Sequence, residues 1–353
     1  MDGNEEIGLG HVMRCLSVAD AFAGKGEACF FILADGRVEE AVKKRGYKTF
    51  IADTRFDNME AEVSIIPPVL RYLHPKYIVV DSYFVTEKYL RFLREFSRVA
   101  YIDDLAAFAY PVDSLINYNI YSENIDYVAL YSRSGMSLPD CILGTKYVPL
   151  REEFGNLPMR IWKWKVKNIL ISTGGADPLH LTLRLVKWLA GRQELERRTR
   201  FHIVLGAMNR DTDEIMKLSE KSKNMVIHPS VQDMRSLMLM CDLAVSAAGS
   251  TLYELCACGT PAITFALADN QLSGADAFHR AGIMISLGDI RADMDNPIEK
   301  IMESIWVLSG DLGKRKEISQ RMQGVIDGNG AKRIAEKLLS NLFSPPNKNS
   351  SIG

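Results

Sequence analysis

Short apolar, β-branched runs alternate along this chain with amphipathic stretches of helical length, the pattern produced by parallel sheets covered with helices. In the first half, the runs Ala28 to Leu33, Lys48 to Ile51, Tyr77 to Val80 and Val99 to Ile102 predict strands. Stretches with helical periodicity near 12–24, 37–45, 59–73 and 86–97 predict the helices between them. From Val148 to Pro158 the periodicity stops, and proline, glycine and charged residues cluster as in a linker. A second series follows, with strands expected at Asn168 to Ser172, Phe201 to Leu205, Met225 to Ile227, Leu243 to Ser246 and Ala262 to Phe265. Its helices are expected near 179–190, 211–221, 230–240, 250–258, 271–281, 296–308 and 312–340. The pattern predicts an α/β protein of two Rossmann-like, doubly wound domains, residues 1–150 and 160–340, followed by a disordered polar tail at 344–353. Two such units joined by one short linker leave a cleft faced by the C-terminal ends of both sheets, where ligands of open α/β sheets bind. No sequence repeat relates the halves.

Composition narrows the class without changing it. The 353 residues are 47% hydrophobic and 25% charged, as in an ordinary globular protein. No apolar run approaches the roughly 18 residues of a membrane span. The 43 Lys and Arg against 44 Asp and Glu give a formal charge of −1, which offers no reason to expect nucleic acid or an anionic membrane as the main ligand, although it is silent on local patches. The six cysteines have neither metal-site spacing nor the density of a disulfide scaffold, and are expected as reduced core residues. The acidic start lacks a signal-peptide pattern, so a cytoplasmic address is expected. Nothing in the sequence sets an oligomeric state.

Five short stretches could carry chemistry. In Ile7-Gly8-Leu9-Gly10-His11-Val12-Met13-Arg14, glycines permit a tight turn or close approach to a ligand, and His11 opens a helix whose free N–H groups favour an anion. A helix start favours neutral imidazole, which suits a general base. A glycine turn with an incidental histidine explains the same residues. Thr173-Gly174-Gly175-Ala176-Asp177 runs from a strand into a helix, where a diphosphate could rest on backbone N–H groups; a plain βα turn would need the same glycines. Neither a Walker lysine nor GxGxxG spacing is present, so no nucleotide cofactor is implied. Gly249-Ser250-Thr251 again leads from strand to helix and could donate to phosphate oxygens, while Glu254, one turn on, could accept from a ribose diol or simply complement the helix dipole. Asp269-Asn270-Gln271 offers side-chain amides to sugar hydroxyls, or caps a helix. Asp81-Ser82-Tyr83 and Asp103-Asp104 follow strands, where carboxylates can orient a histidine or a substrate hydroxyl. No metal-ligand spacing accompanies them, so no metal is invoked.

Taken in order, these motifs resemble the PseG/SpsG group, over most of residues 3–285. The resemblance rests on the Gly-His motif at 7–16, the strand ends Asp81-Ser-Tyr83 and Ile102-Asp-Asp104, and the stretches 171–177, 249–255 and 269–271. It implies a GT-B fold and a division of labour in which the second domain holds UDP and the first acts at the sugar. By that likeness His11 is expected to be the base that activates water, with Tyr83 beside it, and Asn270 and Gln271 to touch sugar or phosphate. Gly174, Gly175, Gly249, Ser250 and Thr251 are expected at the diphosphate and Glu254 at the ribose, with Gly10, Arg14, Asp81 and Asp103 completing the substrate site. One departure stands out. Members of the group usually have a first strand ending in an Arg-x-Asp-Gly type turn, whereas this chain opens Met1-Asp2-Gly3, so against the resemblance a strand in the middle of the first sheet, and its arginine, are expected to be absent.

The resemblance implies metal-independent hydrolysis of a UDP-linked sugar, UDP-2,4-diacetamido-2,4,6-trideoxy-β-L-altropyranose, with inversion at the anomeric carbon. Two rivals stay open: a GT-B glycosyltransferase passing the sugar to a polysaccharide or lipid acceptor, and a nucleotide-sugar binding protein without catalysis.

Overall fold

The structure is a computed structural model that describes residues 1, 10–175, 177–192, 199–206, 208–229, 231–292 and 296–343. The chain divides into two compact units, one of residues 1–152 together with the chain from Asn329 onward, the other of residues 153–328.

The first unit begins with α1 (Gly10–Ala23), β1 (Phe30–Leu33), α2 (Glu39–Lys44) and β2 (Lys48–Ile51). It continues through α3 (Pro67–Leu73), β3 (Tyr77–Val80), α4 (Glu87–Arg94), β4 (Arg98–Ile102), β5 (Ser114–Asn117), α5 (Tyr127–Ser134) and β6 (Asp140–Leu143). The single helix expected over 59–73 is instead a 3-10 turn, Met59–Ser64, followed by α3. Pro67 and Pro68 cause the break: a ring nitrogen cannot donate within a helix, but it fits the first turn, where α3 has its prolines. Helix α4 shows the usual logic of these elements. Thr86 caps it by accepting from Tyr89 N at 3.1 Å, Tyr89, Leu90 and Leu93 form the buried face, and Glu87 and Arg91 pair outside. Complete burial of a side chain such as Leu90 stabilises by about 1.5–3 kcal/mol.

Strands β3-β4-β5-β6 form one parallel sheet and β1-β2 another, so the described strands of this unit fall into two groups. Among the described residues no strand pairs with the free edges of β1 and β3. The cores divide in the same way. Val12, Cys15, Leu16 and Ala19 of α1 pack with Phe31, Leu33, Val38 and Val42, while Leu90, Leu93, Val99, Tyr101 and Leu115 belong to the larger cluster of the four-stranded sheet.

The second unit carries β7 (Asn168–Ser172), α6 (Leu181–Ala190), β8 (Arg200–Val204), α7 (Thr212–Ser219), β9 (Met225–His228) and α8 (Met234–Met240). Then come β10 (Leu243–Ala247), α9 (Thr251–Cys258), β11 (Ala262–Ala266), α10 (Asp269–Arg280), β12 (Ile285–Asp289), α11 (Pro297–Gly310) and α12 (Leu312–Val325). Its strands form one parallel sheet in the order β12-β11-β10-β7-β8-β9. Every residue of β10 and β11 is buried, as expected of central parallel strands covered on both faces. The chain runs outward from β7 through β8 to β9, then returns to build β10, β11 and β12 on the other side, so the order reverses between β7 and β10. That reversal is where doubly wound sheets bind ligands.

The helical stretch expected over 312–340 is two helices, α12 and α13 (Gly330–Phe343). Gly328 separates them with φ 75°, a left-handed conformation, and a Cβ there would lie 2.1 Å from the Phe154 carbonyl oxygen. The second domain, expected to extend to 340, therefore ends at Gly328, and α13 belongs to the first unit. The reason is burial. Helix α13 packs on α1 with Ile334, Ala335 and Leu338 fully enclosed, Lys25 reaches Glu336 at 2.8 Å, and Asn341 Nδ2 donates to Asp140 at 2.7 Å. The tail at 344–353 lies outside the described residues.

The six cysteines are all free thiols. No helix among the described residues is long and apolar enough to cross a membrane.

Candidate functional site

In the first unit, the residues following β3, β4 and β5 meet the first turns of α1. Asp81 comes directly after β3 and is completely buried, yet four donors surround it. His11 Nδ1 lies 2.6 Å from Oδ1, Arg14 Nε donates to Oδ2 at 2.6 Å and Arg14 Nη2 to Oδ1 at 2.5 Å, and the Cys15 thiol approaches Oδ2 at 3.3 Å. Burial alone would raise the Asp81 carboxyl, but the Arg14 charge and the hydrogen bonds from Arg14 and His11 outweigh it and hold the group well below the usual carboxylate range. Arg14 is fixed as a cation in the same way: burial opposes its charge, and Asp104 and Asp81 more than offset that. Its Nη1 also donates to Asp104 at 2.8 Å and to the Tyr118 hydroxyl at 2.6 Å.

An ionised Asp81 can only accept, so the proton on the His11 ring belongs on Nδ1 and the lone pair on Nε2. Arg14 Nη2 is 3.1 Å from the same Nδ1, but it too is a donor directed at Asp81. The imidazole stands edge-on to the half-buried Tyr83 ring, with centroids 4.6 Å apart and planes at 89°. The Tyr83 hydroxyl donates to Asp104 at 3.3 Å, and Asn119 Nδ2 donates to the other Asp104 oxygen at 2.8 Å. The structure thus joins Gly10, at the first position of α1, with His11, Arg14, Asp81 and Tyr83 in one cluster.

Asp103, expected among the substrate ligands, is turned away from it. It is completely buried and accepts from the Tyr110 and Tyr127 hydroxyls at 3.1 and 2.6 Å and from the Leu105 and Ala106 amides at 2.9 Å each. Those four bonds anchor the loop between β4 and β5. Asp104, the next residue, takes the place at the cluster. Tyr118 and Asn119 are not marked by the sequence reading because β5, Ser114–Asn117, carries only two apolar residues between polar ends and is not among the expected strands; as a strand it would mark them as strand-end positions. Residues 7–9 of the Gly-His motif lie outside the described residues.

In the second unit, Gly174-Gly175 follows β7, Gly249-Ser250-Thr251 follows β10, and Asn270-Gln271 follows β11, so the three motifs sit at the C-terminal ends of three adjacent strands. Gly174 has φ 94° and needs its missing Cβ. Gly206, not singled out from the sequence, permits the packing of this turn: a Cβ there would lie 2.2 Å from the Gly175 carbonyl oxygen and 2.4 Å from that of Gly174. No sequence signal marked it, since the approach comes from the neighbouring strand end.

The helices behind these turns differ in what their N-termini offer. Asp177 caps α6 from the turn before it, accepting from Leu181 N at 3.0 Å and Thr182 N at 2.8 Å, so the first turn of α6 is already occupied by a carboxylate. In α9 the N-cap residue Ser250 makes no side-chain capping bond, Gly249 faces open space, Gly249 and Ser250 are exposed, and Thr251 is half-buried. An anion is therefore better received at α9 than at α6. Glu254 lies in the first turn of α9 and is half-buried. Asn270 is exposed, while the Gln271 side chain accepts from Leu267 N at 2.8 Å and fixes the turn before α10. Among the described residues, no group of three or more His, Cys, Asp and Glu is placed to hold a metal ion.

Comparison with known proteins agrees with this architecture. Residues 168–310 match the glycosyltransferase family 28 C-terminal domain. Over 281 residues the chain is 26% identical to an uncharacterized protein of Methanocaldococcus jannaschii, covering 77% of this chain and 55% of that protein. Over 179 residues it is 22% identical to the spore coat polysaccharide biosynthesis protein SpsG of Bacillus subtilis, covering 50% of this chain and 51% of that one. The matches thus span about half the length of these curated relatives. Among solved structures, MurG of Acinetobacter baumannii superposes with a TM-score of 0.66 at 15% identity, covering 94% of this chain and 96% of that one. MnaA of S. aureus, solved with UDP, gives 0.64 at 10% identity, covering 95% of each chain. The calicheamicin glycosyltransferase CalG4 gives 0.61 at 16% identity, covering 96% of this chain and 97% of that one. The chain is an α/β protein of GT-B type with two Rossmann-like units, whose second unit is similar to the glycosyltransferase family 28 C-terminal domain.

Proposed function

We propose that this protein is a nucleotide-sugar hydrolase that cleaves a UDP-linked 2,4-diacetamido-2,4,6-trideoxy sugar to free sugar and UDP. The observation that carries the reading is the His11–Asp81 pair: Asp81 holds Nδ1 at 2.6 Å and leaves Nε2 as the basic nitrogen. In this proposal Nε2 takes a proton from water, the oxygen bonds to the anomeric carbon, and the bond from that carbon to the diphosphate oxygen breaks on the opposite face, inverting the centre. Tyr83 and Arg14 hold the imidazole and its carboxylate in place. The exposed N-terminus of α9, with Gly249, Ser250 and Thr251, receives the diphosphate, Glu254 the ribose and Asn270 the sugar side. No cofactor is required.

The deciding experiment incubates the full chain with UDP-2,4-diacetamido-2,4,6-trideoxy-β-L-altropyranose, without acceptor or added metal, and follows UDP and free sugar by NMR. Release of both without acceptor supports hydrolysis. UDP binding with no release would sink it.

A second reading, transfer of the sugar to a polysaccharide or lipid acceptor, is favoured by the family 28 match at 168–310. It requires that UDP appear only when an acceptor is added.

A further inference from the structure

Neither set of strand-end motifs uses the segment Arg160-Ile161-Trp162-Lys163-Trp164-Lys165-Val166-Lys167, which leads into β7. It interleaves four cations with large apolar side chains and contains no acid, in a chain whose formal charge is −1. A folded chain would ordinarily turn the apolar members inward. Here Ile161 is 87% exposed and Trp164 76%, and Lys163, Lys165 and Lys167 are exposed with them.

The segment is fixed to the fold. Arg160 donates to Thr260 Oγ1 at 2.7 Å and to the Cys241 carbonyl. The amides of Lys167 and Asn168 donate to Asp242 at 2.8 and 3.0 Å, and Lys316 Nζ lies 5.2 Å from the centre of the half-buried Trp162 ring. The buried Arg315 guanidinium gathers the carbonyls of Lys163 at 3.0 Å, Trp164 at 2.8 Å and Leu308 at 3.1 Å. That clamp ties the Trp164 backbone to the C-terminal end of α11. The result is a fixed segment on which Ile161 and the Trp164 indole stand exposed among lysines. It lies where β7 and β10 begin, at the opposite end of the sheet from Gly174-Gly175 and Gly249-Ser250-Thr251.

Contiguous exposed apolar surface rimmed by cations marks a site of association. Indole rings settle at the headgroup level of a bilayer, and lysines are drawn to anionic headgroups. An exposed isoleucine gains nothing from a nucleic-acid backbone, and a two-fold pairing of identical copies would set these cations against one another. We propose that this face of the second unit docks on an anionic phospholipid bilayer surface, with Ile161 and Trp164 entering the headgroup layer and Lys165 and Lys167 over the lipid phosphates, while Lys163 stays paired with Asp242 at 3.6 Å. The inference does not depend on the sugar chemistry.

The test is sedimentation of the full chain with vesicles of phosphatidylcholine alone and of phosphatidylcholine mixed with phosphatidylglycerol. Binding is expected only to the mixed vesicles, weakened by salt and accompanied by a blue shift of tryptophan fluorescence. Replacing Lys165→Gln and Lys167→Gln together should weaken partitioning roughly 30-fold, at about fivefold per lysine. Trp164→Ser should remove most of the fluorescence shift. These side chains are exposed, so both variants should keep the parent melting temperature. Failure to sediment with anionic vesicles, equal binding to neutral ones, or undiminished binding by both variants would overturn the proposal. A dimer in analytical ultracentrifugation that Trp164→Ser dissociates would also overturn it, assigning the face to a second copy of the chain.

Discussion

His11 and Asp81 are 70 residues apart along the chain and 2.6 Å apart in the fold. One carboxylate sets the histidine tautomer and neutralises a buried arginine, so its removal has two separable consequences. Asp81→Asn leaves Arg14 buried with Asp104 as its remaining carboxylate partner in the cluster, and should cost about 3–5 kcal/mol of stability. Urea denaturation of the variant measures that cost, and an unchanged midpoint would contradict the geometry.

Replacing His11 itself isolates the chemistry. His11→Asn should lower turnover by about 10²- to 10⁴-fold while UDP affinity, which the proposal assigns to the second unit, stays within a factor of two or so. Calorimetric titration with UDP beside the NMR assay separates the two. Full turnover by the variant would remove the base assignment.

The contrast between α6 and α9 ranks the two phosphate candidates. Ser250→Ala with Thr251→Ala should weaken UDP binding by roughly tenfold, the loss of one or two hydrogen bonds to a charged group. Asp177→Ala should chiefly destabilise α6, by about 0.5–2 kcal/mol, because that carboxylate caps the helix. Thermal melts and UDP titrations of both variants check the order; a larger affinity loss for Asp177→Ala would reverse it.

Gly206→Ala tests the close approach of two strand ends. The new methyl would meet the Gly174 and Gly175 carbonyl oxygens, which are backbone and cannot swing aside, so a loss of about 1–3 kcal/mol is expected. Gly249→Ala, in open space, is the control and should melt near the parent temperature. Equal melting of the two variants would refute the packing argument.

Acid should weaken the second unit before it reaches Asp81. His202 on β8 is 3.2 Å from His228 on β9 and 3.1 Å from Asn168, with Arg200 on its own strand as the facing cation. Burial, then the neighbouring charges of His228 and Arg200, push the His202 imidazole down to about 4, and burial also lowers His228. Neutral histidine is thus favoured in the folded state. Its stability contribution is complete above the ordinary histidine value of about 6.5 and is lost as pH falls toward about 4. Asp81, held low, keeps its contribution throughout that window. Melting temperatures from pH 7 downward should therefore fall, and His202→Gln should flatten the decline.

The sequence by itself determined most of the elements and the placing of most motifs, but not β5, α5, β6 or β12. Central parallel strands such as Leu243–Ala247 are apolar on both faces, and glycines and small polar residues mark the turns after them. Hydrophobic period and turn chemistry are local, so they can be read without knowing what packs on what.

Tertiary structure decided the rest. Whether Asp103 or Asp104 meets Arg14 depends on a tight turn and on tyrosines at 110 and 127, which no pattern around 103 announces. The break at Gly328 and the return of α13 to the first unit depend on a close approach to Phe154 and on the buried face of α1. Gly206 is needed because another turn lies against it, and the exposure of Trp164 follows from Arg315, far along the chain, pinning its carbonyl. Each is a contact between segments distant in sequence, where burial and hydrogen bonding are settled by the partner rather than by the residue.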